Sequence, residues 1–283
     1  MTDSARLEAT PAAQPASAEP HGLTTRSPIR TRSRLGAVGR KLGVAAGVVV
    51  LWEASIRWWL PTYLPSPTGV LAAAVPTLTS ADFLGALWQT LGAVVLGLVL
   101  GCAAGTALGL TIGRIRWMKQ LTAPYISGLY AMPILAILPM VTIWLGYSGE
   151  ARLAVIGLSA FLPCVVSTAD GARLLARELQ ELTSVLRLSR RRFVADVLLP
   201  STLPFIIAGI QVAVGRALVG AVAVEFLASL NGLGTFILTN THSFQQNTAF
   251  VAVLVLAAFG VLARVGTEAA LRWLAPWHLR ANR

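Results

Sequence analysis

Lysine is nearly absent from this chain, with Lys41 and Lys119 the only two among 23 lysines and arginines. They are followed by Leu42 and Gln120, so no Gly-x-x-x-x-Gly-Lys-Ser/Thr loop exists to cradle a nucleotide's phosphates, and the chain is not expected to be an ATPase. Histidine is scarce as well. His21, His242 and His278 lie apart and outside the apolar runs, so they form no ligand cluster and no metal is expected. Neither a His-Glu-x-x-His nor a Gly-x-Ser-x-Gly string occurs, which removes the usual supports for a membrane-embedded protease. The two cysteines, Cys102 and Cys164, sit inside apolar runs, where a thiol packs as a small hydrophobe. No cofactor is expected.

Charge of either sign is also in short supply. Charged residues make up 12% of the chain and hydrophobic ones 55%, against about 25% charged in a soluble domain. The chain therefore reads as a polytopic membrane protein. Six spans are predicted, at Leu42–Leu60, Ala86–Ile112, Tyr125–Leu145, Arg152–Thr168, Leu203–Ala228 and Ala249–Trp273, each near the roughly 17–25 residues a bilayer requires. Nineteen basic residues fall before Leu42, in Gly113–Leu121, in Asp170–Pro200 or after Leu271, while the opposite loops hold only Arg152. Both termini are accordingly expected in the cytosol, with Pro61–Gly85, Gly146–Ala151 and Ser229–Thr248 facing outward. The net charge of +11 then follows from this asymmetry and from anionic lipid at the inner leaflet, without a nucleic-acid partner. Residues 1–34, rich in Ala, Pro, Ser, Thr and Arg, cannot bury a core, and residues 1–41 are taken as a disordered basic tail.

Between the fourth and fifth apolar runs lies a charged segment, Asp170 to Pro204, containing Arg187, Arg190, Arg191 and Arg192. Each charge at mid-bilayer costs about 2.5–3.5 kcal/mol, so this segment cannot face lipid and is a cytosolic platform. Its spacing is specific: Glu181, Arg187 six positions on, nine further residues, then Val197-Leu198-Leu199-Pro200. That pattern resembles the Glu-Ala-Ala…Gly…Ile-x-Leu-Pro signature of importer-type ABC transporter permeases. Here Leu182 and Thr183 replace the alanines and Arg187 the glycine.

Leu64-Pro65-Ser66-Pro67-Thr68, Met132-Pro133, Leu138-Pro139, Trp144-Leu145-Gly146, Phe161-Leu162-Pro163 and Asn231-Gly232-Leu233-Gly234 extend the likeness to the sulfonate/nitrate/taurine subgroup. The resemblance implies an all-α, six-span type I importer permease fold over residues 42–279, in a bacterial inner membrane. It also implies a homodimer with two ATPase subunits inside and a solute-binding protein outside. The loop 170–204 would then dock on the ATPase through Glu181, Arg187, Arg190, Arg191, Leu199 and Pro200. An ATP-independent carrier, which should show internal repeats, and a membrane scaffold, which needs no such platform, are the competing classes.

Several residues inside the spans bear on a path. Pro133 and Pro139 interrupt the third span, either lining a pathway or making packing kinks satisfied by neighbours. Gly97, Gly101, Gly105 and Gly109 share one helix face, which should pack closely on another helix. Glu53 can pair with Arg57, and Arg264 with Glu268, four positions apart. Arg216, twelve residues past Pro204 and so about 18 Å along its helix, should lie near mid-bilayer. It either offers a passing anion a transient partner or pairs with Glu53. Glu225 is placed at the outer interface as a further path candidate.

Overall fold

The computed structural model describes residues 34–58, 64–186, 189 and 192–274, and every described element is helical. Contacts separate Met1–Val48 from a body that runs from Val49 onward. The helices are α1 (Arg34–Trp58), α2 (Pro67–Thr79), α3 (Ala81–Arg114), α4 (Arg116–Ala131), α5 (Ile134–Leu145) and α6 (Gly149–Leu186). A π-helical turn, Phe193–Leu198, leads into α7 (Leu199–Ala228), followed by α8 (Leu233–His242) and α9 (Gln246–Leu274). Residues 34–41, assigned to the disordered tail, are helical here, and the rest of that tail lies outside the described residues.

Among the described residues, four helical stretches are long and apolar enough to cross a membrane: α3, the first part of α6, the π turn with α7, and α9. The pair α4 and α5, bent by 98°, makes a fifth if counted as one broken span. The first predicted span falls in the 25-residue α1, which carries Arg40, Lys41, Glu53 and Arg57 and is not among them. The protein is thus an all-α, multi-pass membrane protein.

The centre of the body is the seam between α3 and α6. A Cβ added at Gly101 would lie 2.3 Å from the Gly157 carbonyl oxygen, at Gly105 2.5 Å from that of Phe161, and at Gly113 2.7 Å from that of Ala169. A Cβ at Gly97 would lie 2.6 Å from Ile156 Cγ2, and one at Gly109 2.8 Å from both Thr168 Cβ and the Val165 carbonyl oxygen. Only glycine lets backbone touch backbone along such a line, which is the close packing predicted from the four-residue repeat. Gly113 continues that repeat. Cys102 and Cys164 face each other across this seam, buried and unbridged, with sulfurs 3.1 Å apart. The inner side of α7 packs on α6 through Ala213, Ala217 and Ala221.

The Leu64–Thr68 string proves to be a junction. Ser66 caps α2 by accepting the Gly69 N–H, and Pro67 fills the first turn, where its missing donor costs nothing. Glu53 of α1 accepts from both the N–H and the hydroxyl of Thr68, while the Ser66 N–H donates to Asn247 Oδ1 at the start of α9. Three elements therefore meet at one turn. Replacing Ser66 by alanine should cost about 1 kcal/mol, seen as a modest fall in midpoint during denaturant titration, with expression preserved.

One sequence expectation needs correction. Proline breaks the third span only at Met132–Pro133: Met132 is held extended before Pro133 and its N–H closes α4 on Gly128 and Leu129. Pro139 lies inside α5, where Leu138 is buried and Thr142 donates its hydroxyl to the Leu138 and Pro139 carbonyls. Asp170–Leu186 simply prolongs α6, because its Ala, Leu, Glu and Arg favour helix and no breaker intervenes after Gly171.

The return path from the platform is unusual. Leu199 donates its N–H to Val194, five residues back, and Pro200 has no N–H to give, so the wide turn ends where a bond is missing anyway. The hydroxyls of Ser201 and Thr202 take up the Val197 and Leu198 carbonyls. Arg114 at the end of α3 stacks over Phe193, 4.9 Å from its ring centre, tying the turn to the seam.

Candidate functional site

The break between α4 and α5 opens a cavity of about 330 Å³. Tyr130 and Met132 come from the end of α4, Pro133, Ile134 and Ile137 from the break and the start of α5, Ser159 and Leu162 from α6, and Arg216 and Val219 from α7. Most of this wall is apolar. The charge comes from Arg216, whose guanidinium carbon lies 4.0 Å from the centre of the Tyr130 ring. Stacking occupies a flat face of the guanidinium and leaves its N–H edge available, and that edge fits the two oxygens of a sulfonate or carboxylate. Ser159 adds a hydroxyl, already donating to Val155 O at 2.7 Å and so able to accept.

Arg216 does not pair with Glu53. The carboxylate of Glu53 is taken by Thr68, with Oγ1 at 2.9 Å, and by Arg57, with Nε at 3.7 Å. The three ion pairs among the described residues are Glu53–Arg57, Arg264–Glu268 and Arg152–Glu225, so Arg216 has no carboxylate partner there. Two of these pairs are the predicted neighbours four positions apart.

Glu225 lies near the end of α7 and is fully buried there. It accepts from the Thr90 hydroxyl (2.8 Å) and the Gly234 N–H (2.8 Å), and Arg152 Nη1 stands 3.5 Å away. It does not line the cavity that holds Arg216. Of the path candidates, the structure therefore brings together Arg216 and Pro133, and places Pro139 and Glu225 elsewhere. Tyr130, Ser159, Thr90 and Arg152 were not singled out by sequence as members of a site, since their partners are distant along the chain.

On the platform, Glu181 lies on the helical continuation of α6, while Arg187, Arg190 and Arg191 lie outside the described residues. Leu199 is exposed and Pro200 half-buried at the start of α7.

Known proteins match most of the chain. A putative aliphatic sulfonates transport permease of Escherichia coli is 30% identical over 244 residues, covering 83% of this chain and 91% of its own. A formylaminopyrimidine transport permease of Halalkalibacterium halodurans is 29% identical, covering 81% and 92%. A riboflavin transport system permease of Chloroflexus aurantiacus is 32% identical, covering 80% and 87%. The family model described as the inner membrane component of binding-protein-dependent transport systems matches residues 97–278. With that match over more than half its length, and with an aliphatic-sulfonate permease among its relatives, the chain belongs to the permease family of binding-protein-dependent ABC importers.

Proposed function

We propose that this permease imports a small organic anion, and that Arg216 is its transient partner on the way. The observation that carries this reading is a guanidinium without a carboxylate partner among the described residues, stacked on Tyr130, in an otherwise apolar cavity beside a broken span. A half-buried cation without a counter-ion inside a span is costly, so its retention makes sense where an anion visits. One cation without a dense donor cage also binds weakly enough to release its cargo. The curated relatives carry names that specify sulfonates and taurine, but also a formylaminopyrimidine and riboflavin. The anion is therefore inferred from the cavity.

In this reading the subunit is a homodimer in a bacterial inner membrane, with six spans counting α1, both termini cytosolic, and anionic lipid around its basic inner face. Two ATPase subunits bind the platform formed by Asp170–Leu186 and the π turn, and a solute-binding protein docks outside. ATP closes the ATPases, the platform moves with them, and the motion travels along α6 and α7 to the cavity.

The test begins with purification from native membranes through a tag on this chain. An ATP-binding-cassette subunit should copurify, and the chain stripped of it should hydrolyse no ATP. Absence of that partner would favour an ATP-independent carrier or a scaffold. Glu181→Lys combined with Arg191→Glu should then leave insertion intact, cut transport by at least tenfold and leave ATP hydrolysis uncoupled from it. Unchanged transport in that double variant would remove the platform's role.

A further inference from the structure

We propose that Glu225, Arg152 and Thr90 form a latch that holds the Asn231–Gly234 loop and α8 to α3 and α6 as one rigid piece, a positioning device for the end of the path opposite the platform. Glu225 belongs to α7, Thr90 to α3 and Arg152 to α6, so three spans converge on a single carboxylate. The loop is captured at three successive points. Arg152 Nη1 donates to the Asn231 carbonyl at 3.0 Å, the Thr90 hydroxyl accepts the Leu233 N–H at 2.7 Å, and Glu225 Oε2 accepts the Gly234 N–H at 2.8 Å. A fourth tie comes from Thr235, whose hydroxyl donates to the Glu225 and Leu230 carbonyls.

The glycines of this loop are shaped around the carboxylate. A Cβ on Gly232 would lie 2.3 Å from Glu225 Cδ, and one on Gly234 2.8 Å from Glu225 Cβ. Leu233 is fully buried between Phe83 of α3 and Ala252 of α9, so the turn is anchored by packing as well as by charge. Arg152 is the basic residue at this end of the bundle that faces the carboxylate, and the arginine's own exposure is only 16%. An ion pair this enclosed does not part easily, because either charge left alone in a low-dielectric site is strongly unfavourable.

What the latch holds is not a featureless loop. The same segment forms one side of a polar groove of about 590 Å³, with Asn231, Thr235, Thr239 and Asn240 facing Asp82 and Gln89 of α3. On the importer reading this is the face turned to the extracytoplasmic partner. A rigid latch would hold that face fixed to the α3–α6 pair while the far end of the path moves.

The test uses the full complex in nanodiscs, with Cys102 and Cys164 replaced by alanine and one spin label at Asn231→Cys. A second preparation carries the label at Ala103→Cys, on the exposed side of α3. The Asn231 label should give a broad, immobilised spectrum, both in the resting complex and when trapped with ATP and vanadate. Glu225→Gln, Arg152→Met and the double variant should each sharpen it, while the Ala103 label stays unchanged. In the double variant neither charge is left buried alone, so ATPase copurification should persist. An immobilised Asn231 label in the double variant would overturn the latch, and so would sharpening at both positions, which would mean the pair only supports the fold. Mobilisation in the vanadate-trapped, unmodified complex would overturn its rigidity. The label needs no solute, so its outcome is separate from the importer reading, which stands or falls on ATPase copurification with the unmodified chain.

Discussion

Replacing Gly101 by leucine should abolish the folded protein, whereas leucine at Gly92, nine residues earlier in the same helix, should leave it intact. At Gly101 even a methyl group would lie 2.3 Å from the Gly157 carbonyl oxygen and 3.0 Å from the Ala160 methyl. The obstacle is backbone, which cannot swing away as a side-chain tip can. Relief requires parting α3 from α6, and with that the neighbouring contacts at Gly97 and Gly105 are lost too. A well-packed core typically loses about 1–3 kcal/mol to an inserted group, and the rigid obstacle here puts the cost at the upper end or beyond. Gly92 has nothing within 4 Å of its Cβ position. The check is the monodisperse fraction on size-exclusion chromatography in detergent. A folded Gly101→Leu protein with normal yield would show that the seam is not what holds these helices together.

Arg216→Ala should lower uptake about 10- to 150-fold, the equivalent of one charge-assisted hydrogen bond worth about 1.5–3 kcal/mol. Assembly with the ATPase should be unchanged. Lysine at this position keeps the charge but loses the planar fork, so transport should be partial. Tyr130→Phe should behave as the parent, because the ring face that carries the guanidinium remains, whereas Tyr130→Ala removes it and should weaken uptake in the direction of Arg216→Ala. Glu53 supplies the control. Its carboxylate is engaged by Thr68 and Arg57, so Glu53→Ala and Arg216→Ala share no partner and their effects should add. Rescue of uptake in the double variant would instead reveal a pairing and leave Arg216 a structural residue. Uptake would be measured with a panel of radiolabelled alkanesulfonates and carboxylates.

Sequence reading succeeded where the physics is local or periodic. Glycine every fourth residue from Gly97 requires a close helix neighbour, and Met132-Pro133 requires a break, and both are found. It failed where a partner is far away. Glu225 meets Thr90 across 135 positions and Arg152 across 73, and no spacing rule reaches that far. The clue was still present in the Asn-Gly-Leu-Gly string that follows, since small residues were needed to wrap a buried carboxylate. The alternative that Arg216 pairs with Glu53 could not be decided from sequence, because position along a span says nothing of direction around the helix. Helix α2 was overlooked inside an expected loop, although Ser66-Pro67 before an apolar run is a start signal of the ordinary kind. Pro139 misled because a proline flanked by packed residues can remain within a helix.

The glycine seam has a mechanical side. Pro163 deprives α6 of one helical bond, since it has no N–H to offer Ser159, and an isolated rod would bend there. Yet α3 lies against α6 on both sides of that point, with Gly101 on Gly157 and Gly109 on Val165, and Gly105 touching both Phe161 and Cys164. The two helices thus form a two-ply beam in which one ply splints the flaw in the other. The doubled part runs from Ser159 to about Ala172, about 20 Å at 1.5 Å per residue, and α6 continues without α3 to Leu186, about 40 Å from Ser159, so a tilt of about 5° at the cavity corresponds to about 3.5 Å at the far tip. On the proposed coupling, a thrust at the tip would reach the cavity wall as rotation, carried past the proline by the splint.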